Sequence, residues 1–367
     1  MRISEFPGGK DLRPRLIRRR RLAQLYRMVI AFSLFSLPAL AQTIYPTKEV
    51  TLIVPFAAGG PTDMVARIVS YRMSQLLGQQ IVVENIVGTG GTTAAIRAKR
   101  SAPDGYTILM GHMGTHAAAL ALNPKLPYSP TEDFEPIGLT ASMPVLILAR
   151  KGFPAATLAE FIEYAQHNPG KITMAHAGVG SVSFATCEML SSLTGIQPVL
   201  VAFQGTGPAI NALAKGHVDY LCDQIVNVVP QLQSGTVRAF AIGTPRRSPA
   251  LPDVPTSEEA GLPDFRASAW NALFAPKRTP PDIIEKLSSA LSQALDDDNT
   301  RKQLLALGAD LPAPAERTPQ ALSELVKSEI AKWSIIVSSR SVGQQPSTQT
   351  AASPALISAQ PSTSRGF

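Results

Sequence analysis

The stretch Val50–Asp63 reads VTLIVPFAAGGPTD, and the order of its parts decides the fold. Val50–Pro55 (VTLIVP), apolar but for Thr51, is a run of strand length, the pattern of a buried strand. Ala57-Ala58-Gly59-Gly60-Pro61 predicts a turn. From Thr62 onward, Val65, Ile68, Val69, Met73 and Leu76 recur at helical spacing. Thr62 or Asp63 is the expected N-cap and Gly78 the expected stop. Strand, glycine turn and helix start in this order form the repeating unit of a parallel α/β sheet.

The unit recurs outward from there. Gln80–Glu84 and Tyr106–Met110 predict strands, with Gly88-Thr89-Gly90-Gly91 and a helix from Thr92 between them. After a strand at Pro144–Arg150 the alternation resumes: helix 157–167, strand 171–175, the loop Gly178-Val179-Gly180-Ser181, helix 182–193, strand 198–202, the loop Gly205-Thr206-Gly207-Pro208, helix 209–215, strand 217–222, helix 226–233 and strand 236–242. A strand at 266–275 then leads into helices near 280–295, 299–307 and 318–338, whose natural support is the first sheet. The fold expected is α/β, two doubly wound domains joined by a hinge. Residues 42–145 with 270–340 are expected to make domain 1 and residues 146–269 domain 2.

Of the 367 residues, 34 are Lys or Arg and 27 Asp or Glu, a formal charge of +7. Residues 1–41 hold nine of the bases and two of the acids, so the remainder is neutral. A nucleic-acid partner, which needs a basic face on the folded domain, is therefore not expected. The leader itself has the build of a cleaved export signal: Arg18–Arg21 and Arg27, the apolar run Met28–Leu37, then Ala39-Leu40-Ala41, with cleavage expected after Ala41 and a periplasmic product. Ten apolar residues are too few to span a bilayer. Residues 341–367, rich in Ser, Pro, Gln, Thr and Ala with one charge, predict a disordered tail.

Three strand–glycine loop–helix junctions stand out as candidate anion sites: Pro55–Asp63, Gly178–Ser183 and Gly205–Pro208. Each offers N–H groups at a helix start, where the macrodipole favours negative charge. Glycine lets a ligand approach the backbone, most directly at Gly59 and Gly180. Thr62, Ser181, Ser183 and Thr206 add hydroxyls. Asp63 would repel an anion and is read as a helix cap or an orienter of loop N–H groups. His176 ends a strand beside the second loop, either as an aid to anion binding or as an ordinary core or surface histidine. His112 and His116, four apart, could share a helix face and a metal, but no third ligand is evident and packing is the better reading. Cys187 and Cys222 read as buried thiols, a bond between them being left open. Trp270 reads as core or hinge. No Walker A motif, dinucleotide fingerprint, nucleophile elbow or HExxH is present.

These pieces, taken in order, resemble the Bug-type extracytoplasmic solute receptors of tripartite tricarboxylate transporters. The resemblance runs from about Tyr45 to Ser338. It rests on Ile53-Val54-Pro55-Phe56-x-x-Gly59-Gly60-x-x-Asp63-x-x-Ala66-Arg67, Val82-Val83-Glu84-Asn85-x-x-Gly88-x-Gly90-Gly91, Pro103-Asp104-Gly105-Tyr106-Thr107, Asn168-Pro169-Gly170-Lys171, Gly178-x-Gly180-Ser181, Gly216-x-Val218-Asp219 and Leu251-Pro252-x-Val254-Pro255-Thr256. It implies a type II periplasmic binding protein that closes around a small organic acid and presents it to membrane permease subunits or to a sensor, as a monomer and without a cofactor. Carried over, the ligand-binding set is Phe56, Ala58, Gly59, Thr62, Asp63, Gly178, Gly180, Ser181, Ser183, Gly205 and Asp223, with His176 added from its own position. The chain departs from the family at His176, Phe184, Phe203-Gln204 and Ile86-Val87, where Ser, His, Tyr-Lys and Arg-Pro are common. Losing a lysine and gaining an aromatic implies a less charged second end of the ligand, an aromatic or aliphatic monocarboxylate rather than citrate. The competing reading is an exported enzyme acting on a small phosphate or carboxylate compound, for which no nucleophile–base pair or metal set can be assembled.

Overall fold

The computed structural model describes residues 45–341, together with Met1. The export signal and the tail beyond Ser341 lie outside the described residues. Among the described residues nine strands form one sheet. In chain order they are β1 (Val50–Val54), β2 (Ile81–Asn85), β3 (Thr107–His112), β4 (Phe134–Arg150), β5 (Thr173–His176), β6 (Val199–Ala202), β7 (Tyr220–Gln224), β8 (Val237–Ile242) and β9 (Ser268–Pro276). The strand order is β2-β1-β3-β9-β4-β7-β5-β6, with β8 paired to β4. β1 pairs in parallel with both β2 and β3, consistent with a sequence that is apolar but for Thr51. β9 runs antiparallel between β3 and β4.

The helices fill the crossovers. They are α1 (Pro61–Leu77), α2 (Thr92–Lys99), α3 (Ala119–Leu122), α4 (Leu158–His167), α5 (Val182–Thr194), α6 (Thr206–Ala214), α7 (Ile225–Gln233), α8 (Pro281–Asp296), α9 (Asp298–Ala306) and α10 (Pro319–Ser341). α1 stops at Gly78, whose φ of 71° is the left-handed conformation that ends helices. α8 buries Ile283, Ile284, Leu287, Ala290, Leu291, Ala294 and Leu295, one stripe at helical spacing, against α1 and β4. α10 packs on β4 and on the turn after β3.

β4 is longer than the expected strand at Pro144–Arg150. The sequence reading takes in only its second part, because Pro136 and Pro144 interrupt the apolar run of these 17 residues. Both prolines are tolerated for local reasons. Register shifts fall between Pro136 and Gly138, where a bulge removes the need for an N–H donor. Pro144 is the last β4 residue paired with β9, opposite Ser268, and Val145 is the first paired with β7, opposite Gln224. The strand therefore leaves one half of the sheet and enters the other at Pro144–Val145. The chain returns nearby, where the Ala267 N–H donates to the Gly243 carbonyl and the Gly243 N–H to the Val145 carbonyl, both at 2.9 Å, while the Val145 N–H donates to the Ala267 carbonyl at 3.0 Å.

One expectation is corrected within this frame. Cys187 on α5 and Cys222 on β7 are not separate thiols but a disulfide, their Cα atoms 5.4 Å apart. Packing α5 onto β7 brings them into bonding range, which sequence spacing could not reveal.

Candidate functional site

The first glycine turn is held from behind by Asp63. The helix begins at Pro61, so Gly60 rather than Thr62 or Asp63 is the N-cap, and Pro61 takes the first helical position, where a missing N–H costs nothing. Asp63 instead reaches back to accept the Gly59 N–H at 2.9 Å. It also takes bonds of 2.9 Å from the Arg67 guanidinium and from the Asn85 amide. Burial alone would raise its pKa, but these three donors more than offset that and hold the carboxyl below its ordinary value. Asn85 also donates to the Phe56 carbonyl. The carboxylate braces the loop and does not reach the cavity in front of it.

That cavity is small and partly open to solvent. It is lined by Phe56, Gly60, Pro61, Thr62, His112, Ala177, Ser181, Val182, Ser183, Thr206 and Gln224. Each group comes from the end of a strand or the start of a helix. Pro61 and Thr62 open α1, Val182 and Ser183 open α5, Thr206 opens α6, and Gln224 caps α7. Four helix N-termini therefore converge on one space. Each carries roughly half a positive elementary charge on unsatisfied N–H groups. Among the described lining residues there is no Lys, Arg, Asp or Glu. The positive potential comes from backbone alone.

The hydroxyls are locally ordered. Ser181 caps α5, its Oγ accepting the Phe184 N–H at 3.2 Å and donating to the Gly178 carbonyl at 2.7 Å. Ser183 Oγ accepts the Ala177 N–H at 3.0 Å. At the end of β3, the His112 ring stacks on Phe56 with centroids 5.0 Å apart. Burial pushes the His112 pKa down to about 3, so the ring is neutral. His116 is also driven down to about 3 by burial, with His112 adding to the shift. It stacks on Phe274 at 4.0 Å, away from the cavity. A π-type turn at Gly114–Ala118, not an α-helix face, separates the two rings.

Of the residues expected at the site, Phe56, Thr62, Ser181 and Ser183 line the cavity together. The others stand around it. Ala58 and Gly59 are exposed at the rim. His176 is buried, its Nδ1 accepting the Gly178 N–H at 2.9 Å and its ring meeting Phe184 edge-on. Burial lowers its pKa. Asp223 is fully buried one residue behind Gln224. Burial raises its pKa to about 6 against hydrogen bonds from Asn227, the Gln224 N–H and Thr206.

Gly178, Gly180 and Gly205 contact protein rather than the cavity. A Cβ on Gly178 would lie 2.7 Å from the Gly90 nitrogen, one on Gly180 3.3 Å from Ala119 Cβ, and one on Gly205 3.1 Å from the Ala57 nitrogen. The Ala57 N–H donates to the Gln204 carbonyl at 3.0 Å. The glycine loops thus meet one another backbone to backbone around the rim. Gln224 was not legible as a site residue because its strand–helix junction, Asp223-Gln224-Ile225, carries no glycine.

Comparisons with known proteins agree with this architecture. The family model described as tripartite tricarboxylate transporter family receptor matches residues 65–342. MatC of Rhodopseudomonas palustris, solved with bound malate, is 51% identical and superposes with a TM-score of 0.79 over 80% of this chain and 100% of its own. The periplasmic binding protein BugD is 39% identical with a TM-score of 0.79, over 82% of this chain and all of its own. A second R. palustris protein, solved with adipate, is 32% identical with a TM-score of 0.76, over 81% of this chain and 98% of its own.

Proposed function

The chain belongs to the tripartite tricarboxylate transporter receptor family, with the Bug-type periplasmic binding proteins among its relatives, and from that membership we propose that it captures a short organic carboxylate in the cavity in front of Phe56 and hands it to membrane permease subunits. The observation that carries this reading is the convergence of four helix N-termini on a space lined, among the described residues, by no charged side chain. Such a space favours an anion that brings its own charge and accepts several hydrogen bonds. Thr62, Ser181, Ser183 and Thr206 hold its first carboxylate, with N–H groups of α1, α5 and α6. The malate and adipate of the two R. palustris structures support a carboxylate. The malate of the 51% identical relative moves the preferred ligand from a monocarboxylate toward a short, malate-like acid.

The two lobes are residues 42–145 with 270–340 and residues 146–269, crossing at Pro144–Val145 and at Ala267–Ser268. Opening is a hinge motion about these crossings, and the ligand drives closure only through contacts made to both lobes. The protein acts as a monomer and does not turn its ligand over; a sensor is a second recipient. It works in the periplasm after removal of the leader at Ala41. No described helix is long and apolar enough to cross a membrane.

Isothermal titration of the purified protein tests the reading, using malate, adipate, citrate, benzoate, inorganic phosphate and glutamate. Three or four charge-assisted bonds correspond to roughly micromolar affinity for the cognate acid. Phosphate binding without carboxylate binding would assign the glycine loops to another anion.

A further inference from the structure

Two lining side chains remain unused by the carboxylate site just described. His112 Nδ1 accepts the Thr115 N–H at 3.2 Å. The ring is neutral, so its single proton sits on Nε2, and Phe56 fixes the ring plane. Gln224 is buried, and its Oε1 accepts from the Asn271 amide at 3.4 Å. That contact sets which way the Gln224 amide points and leaves its NH₂ group for the cavity. No described acceptor is bonded to either His112 Nε2 or Gln224 Nε2. Asn271 joins the two. It faces His112 across the β3–β9 ladder, is completely buried, and bonds Gln224 from the neighbouring part of the sheet.

Both groups can only donate toward the ligand. A second ionised carboxylate placed between them would lose its water without gaining a cation, because none lines the cavity. A hydroxyl or keto oxygen needs only donors. We infer that His112 and Gln224 form a neutral donor pair that recognises the oxygen on carbon 2 of a short 2-hydroxy or 2-keto acid, with Asn271 as the positioning residue for Gln224. The inference rests on the carboxylate reading and sharpens its substrate class. A site built to bond an oxygen discriminates strongly against the analogue lacking it, because two buried donors are then left unpaired.

The test is titration with two matched pairs, malate against succinate and lactate against propionate. In the unaltered protein the hydroxy acid of whichever pair binds should be at least about tenfold tighter. Gln224→Leu should bring the two within twofold, and Asn271→Ala should narrow the ratio in the same direction. Gln224→Glu keeps the shape should the leucine variant fail to fold. It loses the donor when ionised and regains one when protonated, so its hydroxy-acid affinity should climb as pH falls. A ratio near one in the unaltered protein, or an unchanged ratio in Gln224→Leu, overturns the donor pair and leaves carboxylate binding standing. Failure of every carboxylate to bind overturns the site reading and the donor pair with it.

Discussion

Asp63 and Asp223 are buried carboxylates within a few residues of one cavity, and their surroundings push them in opposite directions. Asp63 is held low by an arginine and two further donors, so its contribution to stability is present above its unfolded pKa and lost as pH falls. Asp223 is raised to about 6, chiefly by burial. The folded state therefore binds its proton more tightly than the unfolded chain, and stability is lost as pH rises between about 4 and about 6. A shift from 3.8 to about 6 corresponds to about 3 kcal/mol, an order-of-magnitude figure. In Asp223→Asn that slope should vanish, so the melting temperature of the variant relative to the unaltered protein should climb across this pH window. Two melting profiles that stay parallel would show that Asp223 is ionised throughout. The chemistry of these residues could be named from the sequence only in part. Asp63 was readable as a loop orienter because it stands three residues after the glycine pair. Asp223 was readable only through resemblance, since nothing in its neighbours announces burial.

At the scale of elements, the strand–glycine loop–helix units were legible because each combines an apolar run, a glycine pair and helical periodicity. What the glycines do was not legible. The expectation was close approach of a ligand; the structure places other protein segments against Gly178, Gly180 and Gly205 and leaves open space at Gly59. A Cβ on Gly90, which lies at φ 62°, would fall 1.8 Å from the Val179 carbonyl oxygen, while one on Gly59 meets nothing within 4 Å. Gly90→Ala should therefore weaken binding of the cognate acid by tenfold or more by holding the Gly88–Gly91 turn off the Gly178–Val179 loop. Gly59→Ala, which carries only the strain of φ 80°, should stay within about threefold. Equal losses in the two variants would remove closure as the explanation. The pairing of β4 with β9, and the π-type turn that parts His112 from His116, depend on tertiary contacts and leave no periodic trace in the chain.

Across the whole molecule, the Cys187–Cys222 disulfide fastens α5, whose first turn faces the cavity, to β7, whose last residue is Gln224. It closes a loop of 35 residues, which in the chain-entropy account contributes about 3–4 kcal/mol. Replacing both cysteines with serine should lower the denaturant midpoint accordingly; recovery of two free thiols from the native protein under oxidising conditions would contradict the bond. Passage of β4 through both halves of the sheet has a further consequence for how the chain reaches this structure. The Thr140 hydroxyl bonds the Asn271 carbonyl across 131 residues of sequence. β9 can take its place between β3 and β4 only after the intervening segment has been synthesised and brought back. β1, β2 and β3 need no such wait. Loop-closure entropy thus makes β9, an interior strand, among the last to pair, and folding of this half is slow relative to its local helices.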